Sequence, residues 1–259
     1  MKDGKLLAIF LITAAVIIGL VLVPRSSPLR YAINDGGQFL VVIMAVIIGL
    51  ERARFFGFRS ALGKALLFIS LASLAWGLGT LVMLYHDVVL QVETPPYPYL
   101  VDIFYLAAFP LAFYGLYMLL KNITKIGFKV AANLAALPVI LLLLYILIQD
   151  RFAQGTSLLG QPLSIAYPIG DAIILSFALV ILGMIRDSKL SRPIGIICIS
   201  FIIKIIADLG FIATVSMGTY YVGNWTEMLH AVRFMVLGAG MYFTGDIIGI
   251  QMGKRKVKK

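Results

Sequence analysis

Ile194-Gly-Ile-Ile-Cys198-Ile-Ser-Phe-Ile-Ile-Lys204-Ile-Ile-Ala-Asp208-Leu-Gly-Phe-Ile-Ala-Thr-Val-Ser-Met217 is an unbroken apolar run with one lysine and one aspartate as its only charges. A run of this length crosses a bilayer, whose ~30 Å hydrocarbon layer needs ~20 helical residues at 1.5 Å each. Backbone amides find no water there, so the run is expected to be helical. Lys204 and Asp208 are four positions apart, which puts them on one helix face. Ionisable groups inside a span cost a few kcal/mol each on insertion scales and mark functional positions by default.

Seven further blocks of this kind occupy about 5–23, 35–51, 62–85, 99–120, 129–149, 163–185 and 226–250. The chain is 61% hydrophobic and 13% charged over 259 residues, against roughly 45–50% and 25% in soluble domains. A soluble fold would have to clothe itself in polar surface that this composition lacks. The expectation is an all-α, polytopic membrane protein of eight transmembrane helices, forming one transmembrane domain over 1–259. The first block follows Met1-Lys2-Asp3-Gly4-Lys5 and ends in Val23-Pro24-Arg25, with no small-x-small cleavage site, so it reads as a span rather than a signal peptide. Every connection is short, which leaves no room for a soluble domain between spans. Cys198 is the single cysteine and lies within a span, so an intrachain disulfide and a CxxC metal site are excluded.

Direction follows from the bases. With the N-terminus inside, 17 of the 22 Lys and Arg fall in inner segments: Lys2, Lys5, Arg52 to Lys64, Lys121 to Lys129, Arg186 to Arg192 and the tail from Lys254 to Lys259. Outer loops hold Arg25, Arg30 and Arg151, while Lys204 and Arg233 lie within spans. This is the positive-inside bias, and it predicts both termini in the cytoplasm. The pI of 9.7 therefore reports topology rather than nucleic-acid binding, because the bases hug span ends and form no patch interleaved with aromatics. The lysine-rich tail, 254–259, also suits anionic headgroups of the lipid bilayer.

The two halves, 1–125 and 126–253, echo each other. At an offset of 134, Val46, Ile47, Gly49 and Arg52 fall on Val180, Ile181, Gly183 and Arg186. At an offset of 125, Phe109, Gly115 and Tyr117 fall on Phe234, Gly240 and Tyr242, and Asp102 meets Glu227. A parallel repeat of two four-helix halves is the expectation.

Charge inside the later spans defines the candidate site. Asp171 lies about 12 Å below the outer edge of the sixth span, Asp208 about 13 Å below that of the seventh, and Arg233 about 10 Å below that of the eighth. Asp102, Glu227, His230, Tyr105 and Tyr167 lie at shallower levels, and Lys204 lies one turn below Asp208. Two readings fit. In one, Asp208–Lys204 and Asp171–Arg233 pairs only fix helix packing. In the other, these residues line a polar pocket that takes a small molecule or a proton from the outer side. Pro110 and Pro168 mark the same level, and each frees a backbone carbonyl and bends its helix.

Other chemistries fit less well. His86 sits at a span end, so it forms no facing haem pair with His230. Glu227-Met-Leu-His230 has the i,i+3 spacing of a carboxylate-bridged metal motif, but the second copy that such sites require is missing. Asp171 and Asp246 differ too much in depth to share a proton as intramembrane aspartyl proteases demand. Lys204 has the right chemistry for a retinal Schiff base, but the helix count and neighbouring residues do not match rhodopsins. No enzyme, metal or cofactor is expected. Asn224-Trp-Thr226 is a glycosylation sequon on the outer side.

Pro98-Tyr-Leu-Val-Asp102-Ile-Phe-Tyr105-Leu106, continuing to Phe109-Pro110-Leu111 and Gly115, resembles the fourth helix of an eight-helix membrane input module. Ala166-Tyr167-Pro168-Ile169-Gly170-Asp171, Ala207-Asp208 and the glycine-containing outer loop before the last span resemble its later signatures. In bacteria that module is found upstream of GGDEF diguanylate cyclase, EAL phosphodiesterase and kinase domains. The resemblance covers about 35–250 and implies a sensory role. Two features depart from it. After Gly253 only Lys254-Arg-Lys-Val-Lys-Lys259 follows, so a signal is expected to pass to a separate signalling partner, and Lys204 and Arg233 are foreign to the pattern. The expectation is therefore a non-enzymatic sensor of the plasma membrane. A small proton- or solute-coupled transporter and a structural subunit of a membrane complex are the alternatives.

Overall fold

The computed structural model describes residues 27–91, 98–123, 160–185 and 190–256, with scattered positions between 8 and 20. The span expected at 129–149 lies outside the described residues, as do much of 5–23 and the basic residues Lys125, Lys129, Arg151, Arg186 and Lys189. From residue 27 onward the described residues form six α-helices: α1 Ser27–Phe56, α2 Ala61–Leu84, α3 Leu100–Ile123, α4 Gly160–Met184, α5 Ser191–Ser216 and α6 Trp225–Lys256. No strand occurs among them. A π-helical turn, Tyr85–Leu90, prolongs α2 and closes on Gln91 at a left-handed φ of 52°.

Ala61–Leu90, Leu100–Ile123, Ala166–Met184 and Ser191–Ser216 are long and apolar enough to cross a membrane. The distribution of polarity supports the same environment. On α5, Lys204 and Ser200 are 5% and 3% exposed, while Ile206 and Leu209 are 50% and 53% exposed. A helix dissolved in water turns its apolar stripe inward. Here the apolar face points out and the charge points in, as lipid solvation requires.

Helix extents differ from the hydropathy blocks in an instructive way. α1 begins at Ser27 rather than 35, and α6 runs to Lys256 rather than 250. Hydropathy marks only the lipid-embedded part, whereas the helix continues through polar turns such as Arg30 to Asn34. Pro110 and Pro168 lie inside α3 and α4, as expected.

Each helix packs on its chain neighbours, and α6 returns to α1, so the six close into a ring. The pairs α1–α2, α2–α3, α4–α5 and α5–α6 run antiparallel, whereas α3 and α4, and likewise α1 and α6, run parallel with their starts at one end. Asn34 and Gln38 near the start of α1 bond Glu227 at the start of α6. Tyr167 of α4 bonds Asp102 at the start of α3, and His86 beyond α2 meets the Tyr99 ring before α3. One end of the ring is therefore acidic, with Asp35, Asp87, Asp102 and Glu227. The other carries Arg52, Arg54, Arg59, Lys64, Lys121 and Arg192.

Two close helix approaches repeat each other. A Cβ on Gly115 of α3 would meet Ile69 of α2 at 2.7 Å from Cγ1 and 3.1 Å from the backbone N. A Cβ on Gly240 of α6 would meet Ile197 of α5 at 2.9 Å and 3.0 Å from the same two atoms. Small residues let helix backbones approach this closely where no hydrophobic effect drives association.

Candidate functional site

Lys204 is the hub. Its ammonium donates to Asp171 of α4 and to Asp208 one turn further along α5. The i,i+4 spacing brings Asp208 to it, and packing of α4 on α5 brings Asp171. His230 of α6 extends the chain, with Nε2 3.5 Å from Asp208 Oδ1. Three helices thus share one charge network. Lys204, Asp171 and His230 are buried, and the Asp208 side chain is 17% exposed.

Trp76 of α2 supplies the aromatic wall. Its ring stacks on Tyr105 of α3 with centroids 4.3 Å apart, and lies tilted against His230 at 5.2 Å. Arg233, one turn after His230, lays its guanidinium 3.8 Å from the Phe234 centroid and 4.4 Å from that of Trp76. The Lys204 Nζ sits 4.8 Å from the Phe109 ring. Desolvated cation–π contacts of this kind contribute about 2 kcal/mol each.

The pairing differs from the sequence expectation at one point. Asp208–Lys204 forms, but Asp171 also pairs with Lys204, and Arg233 makes no ion pair among the described residues. The Arg233 guanidinium lies instead against the Trp76 indole. With His230 neutral, two carboxylates and two cations balance formally within the cluster.

Between these side chains lies a chamber of about 30 Å³, lined by Trp76, Phe109, Lys204, Arg233, Ser73 and Ser200 among others. A partly open space of this size is large enough to hold ordered water.

The remaining candidates form two separate groups. Asp102 accepts from the Tyr167 hydroxyl at 2.5 Å and from the Tyr99 backbone N–H at 2.9 Å, which ties α3 to α4. Glu227 accepts from Gln38 Nε2 at 2.8 Å and Asn34 Nδ2 at 3.4 Å, and its other oxygen accepts from Tyr220 OH at 2.8 Å. Burial and the facing Glu227 carboxylate push the Tyr220 phenol well above its ordinary pKa. Tyr105 joins the central cluster through Trp76.

Asn34, Asp35, Gln38 and Trp76 are members of these clusters that sequence reasoning passed over. The sequon is a helix cap: Asn224 is 2% exposed, and its Oδ1 accepts from Thr226 N at 3.0 Å and Glu227 N at 3.3 Å.

No family model matches this chain, and no curated protein or solved structure matches it.

Proposed function

We propose that this chain is a multi-pass plasma-membrane protein of the sensor type, without enzymatic activity of its own. It has eight spans in a parallel four-plus-four arrangement, both termini in the cytoplasm, and a separate signalling partner. The observation that carries the reading is Lys204 shared between acids of α4 and α5, with His230 of α6 on the far side of Asp208. A network held in three helices responds as a unit. Changing its charge or occupancy releases or tightens all three against one another, because a buried charge that loses its partner is strongly destabilising.

The route to the cytoplasm follows α1 and α6. They are tied at the acidic end by Gln38 and Glu227, and at the basic end Arg52 lies 4.7 Å from the Tyr242 ring centroid. A shift of α6 driven by His230 and Arg233 therefore reaches Arg52 and the α1–α2 turn. The matched Gly115–Ile69 and Gly240–Ile197 approaches support the parallel repeat, and the basic end supports the cytoplasmic assignment of the termini.

A proton- or solute-coupled transporter is the second reading, favoured by buried charge within a repeat. The discriminating experiment is thermal unfolding of the protein in nanodiscs across pH and a metabolite and lipid panel, for wild type and Asp171→Asn. We expect midpoints that shift with conditions in wild type and are flattened in the variant. Parallel behaviour of the two proteins under every condition would sink the sensor reading. Proton or solute flux into proteoliposomes, lost on Lys204→Ala, would replace it with the transporter.

A further inference from the structure

We propose that Asp35 and Asp87, at the acidic end of the ring, share one proton and form a binding site for protons arriving from that side of the membrane. The pair is separate from the Lys204 network, and it rests on the sensor reading only for its meaning as a stimulus. Asp35 is 8% exposed near the start of α1, and Asp87 is half-buried in the π-helical turn that prolongs α2. Their two carboxyl groups are in hydrogen-bonding contact. Asp35 Oδ1 accepts from Asn34 Nδ2 at 2.8 Å, while Oδ2 is buried and receives no donor. An ionised carboxylate can only accept, so two carboxyl groups bond each other only when one of them carries a proton.

The surroundings leave the pair no other source of neutralisation. Among the described residues neither carboxyl forms an ion pair with a lysine, arginine or histidine. Glu227 of α6 faces both and adds a third carboxylate. His86 faces Asp87 from the same turn, and the phenols of Tyr99 and Tyr220 face Asp87 from the segments before α3 and α6. Tyr105 of α3 faces Asp35. The Lys204 cluster, by contrast, contains its own cations. A bridging water would leave two like charges together, and the direct contact leaves no gap for one. No group of three metal-ligating side chains occurs among the described residues, which favours a proton over a coordinated metal. The pair is also wired to α6, because Asn34 donates to Glu227 Oε2 at 3.4 Å as well as to Asp35. α1 and α2 meet at this level, where a Cβ on Gly36 would lie 3.9 Å from Leu84 Cδ2. Loss of the proton sets two charges face to face there and pushes the π-helical turn away from α1.

A carboxyl that keeps its proton when folded and releases it when unfolded makes stability fall as pH rises above about 4, where exposed carboxyls titrate. Thermal unfolding in nanodiscs from about pH 5 to about pH 8 therefore tests the pair, for wild type, Asp35→Asn, Asp87→Asn and the double variant. The wild-type midpoint is expected to fall by several degrees over this range. Each single variant should remove at least half of that fall, because an amide donates to the remaining carboxylate without titrating. The double variant should remove no more than the larger single effect, as coupled positions do. A fall that persists unchanged in both single variants overturns the proposal. Flattening by one variant and not the other overturns it too, since a lone buried acid would then be responsible. At the upper pH, sodium, calcium and choline chloride at equal ionic strength should give equal midpoints. A saturable rise with sodium or calcium in wild type, absent from the variants, means that the pair holds a metal cation and not a proton. If one single variant fails to fold, the other and the cation series decide. Asp171→Asn, measured alongside, separates the two readings. Flattening there with none at the pair removes the shared proton and leaves the Lys204 network as the responsive site; the opposite result keeps the shared proton and removes that reading.

Discussion

Lys204 holds two carboxylates from different helices, so its removal tests the whole network in one step. Lys204→Met keeps the length of the side chain and deletes the charge, leaving Asp171 and Asp208 buried without their shared partner. Loss of one partner from a buried ion pair costs about 3–5 kcal/mol. A clearly lowered unfolding midpoint in nanodiscs is expected, partly restored by adding Asp171→Asn, because the second change removes the charge that the first stranded. Equal midpoints for Lys204→Met and wild type would mean that the pairing contributes nothing. The charged members of this cluster were legible in the sequence because an acid or base stands out in an apolar run. Its geometry was not. Spacing of four reports Asp208, which shares a helix with Lys204, but says nothing of which residue on α4 or α6 faces it. Trp76 was hidden for the opposite reason, since an aromatic residue inside a span is ordinary until its neighbours are known. Asn34 and Gln38 sit where a hydropathy block fades out, and that fading is read as a boundary rather than as a site.

At the scale of helices, the two glycine contacts make a sharper statement than any block of hydropathy. Gly115 and Gly240 each leave about 3 Å between an added Cβ and a backbone nitrogen of the neighbouring helix. Backbone cannot yield as a flexible side chain does, so Gly115→Val and Gly240→Val must push α3 off α2 and α6 off α5. Overpacking of this sort costs about 1–3 kcal/mol. If the halves repeat each other, the two losses should agree within the scatter of such measurements, as read from thermal unfolding in the same detergent. A large loss at one glycine and none at the other would argue that the resemblance between halves is fortuitous. Sequence offered these positions as equivalent through an offset of 125, but could not say that both meet an isoleucine. The partner offset is 128, from Ile69 to Ile197, and a three-residue slip between neighbouring helices leaves no trace in a single alignment of halves. Four of the described helices, α2 to α5, were legible because their apolar length alone decides them. The ends of α1 and α6 were not, because Ser27 to Asn34 and Gly253 to Lys256 continue a helix beyond the part that lipid selects.

For the molecule as a whole, the division of charge between the ends of the ring gives orientation a physical basis. Arg52, Arg54, Arg59 and Lys64 cluster around the end of α1, the turn with Ser60 as helix cap, and the start of α2, while Lys121 and Arg192 lie at the same end on α3 and α5. The far end carries Asp35, Asp87, Asp102 and Glu227 instead. Lys and Arg are retained on the cytoplasmic side during insertion, whereas acids have little influence. The basic end should therefore face the cytoplasm, and the narrow chamber should lie nearer the exterior. Single cysteines at Arg59 and Thr219, in a Cys198→Ser background, report this directly. On intact cells a membrane-impermeant maleimide should label Cys at position 219, in the exposed turn after α5, and leave position 59 unlabelled until the cells are opened. The reverse pattern would put the acidic end inside and bring the charge cluster close to cytoplasmic protons. Labelling of both positions on intact cells would mean mixed insertion, and a ring inserted both ways could not carry a signal in one direction.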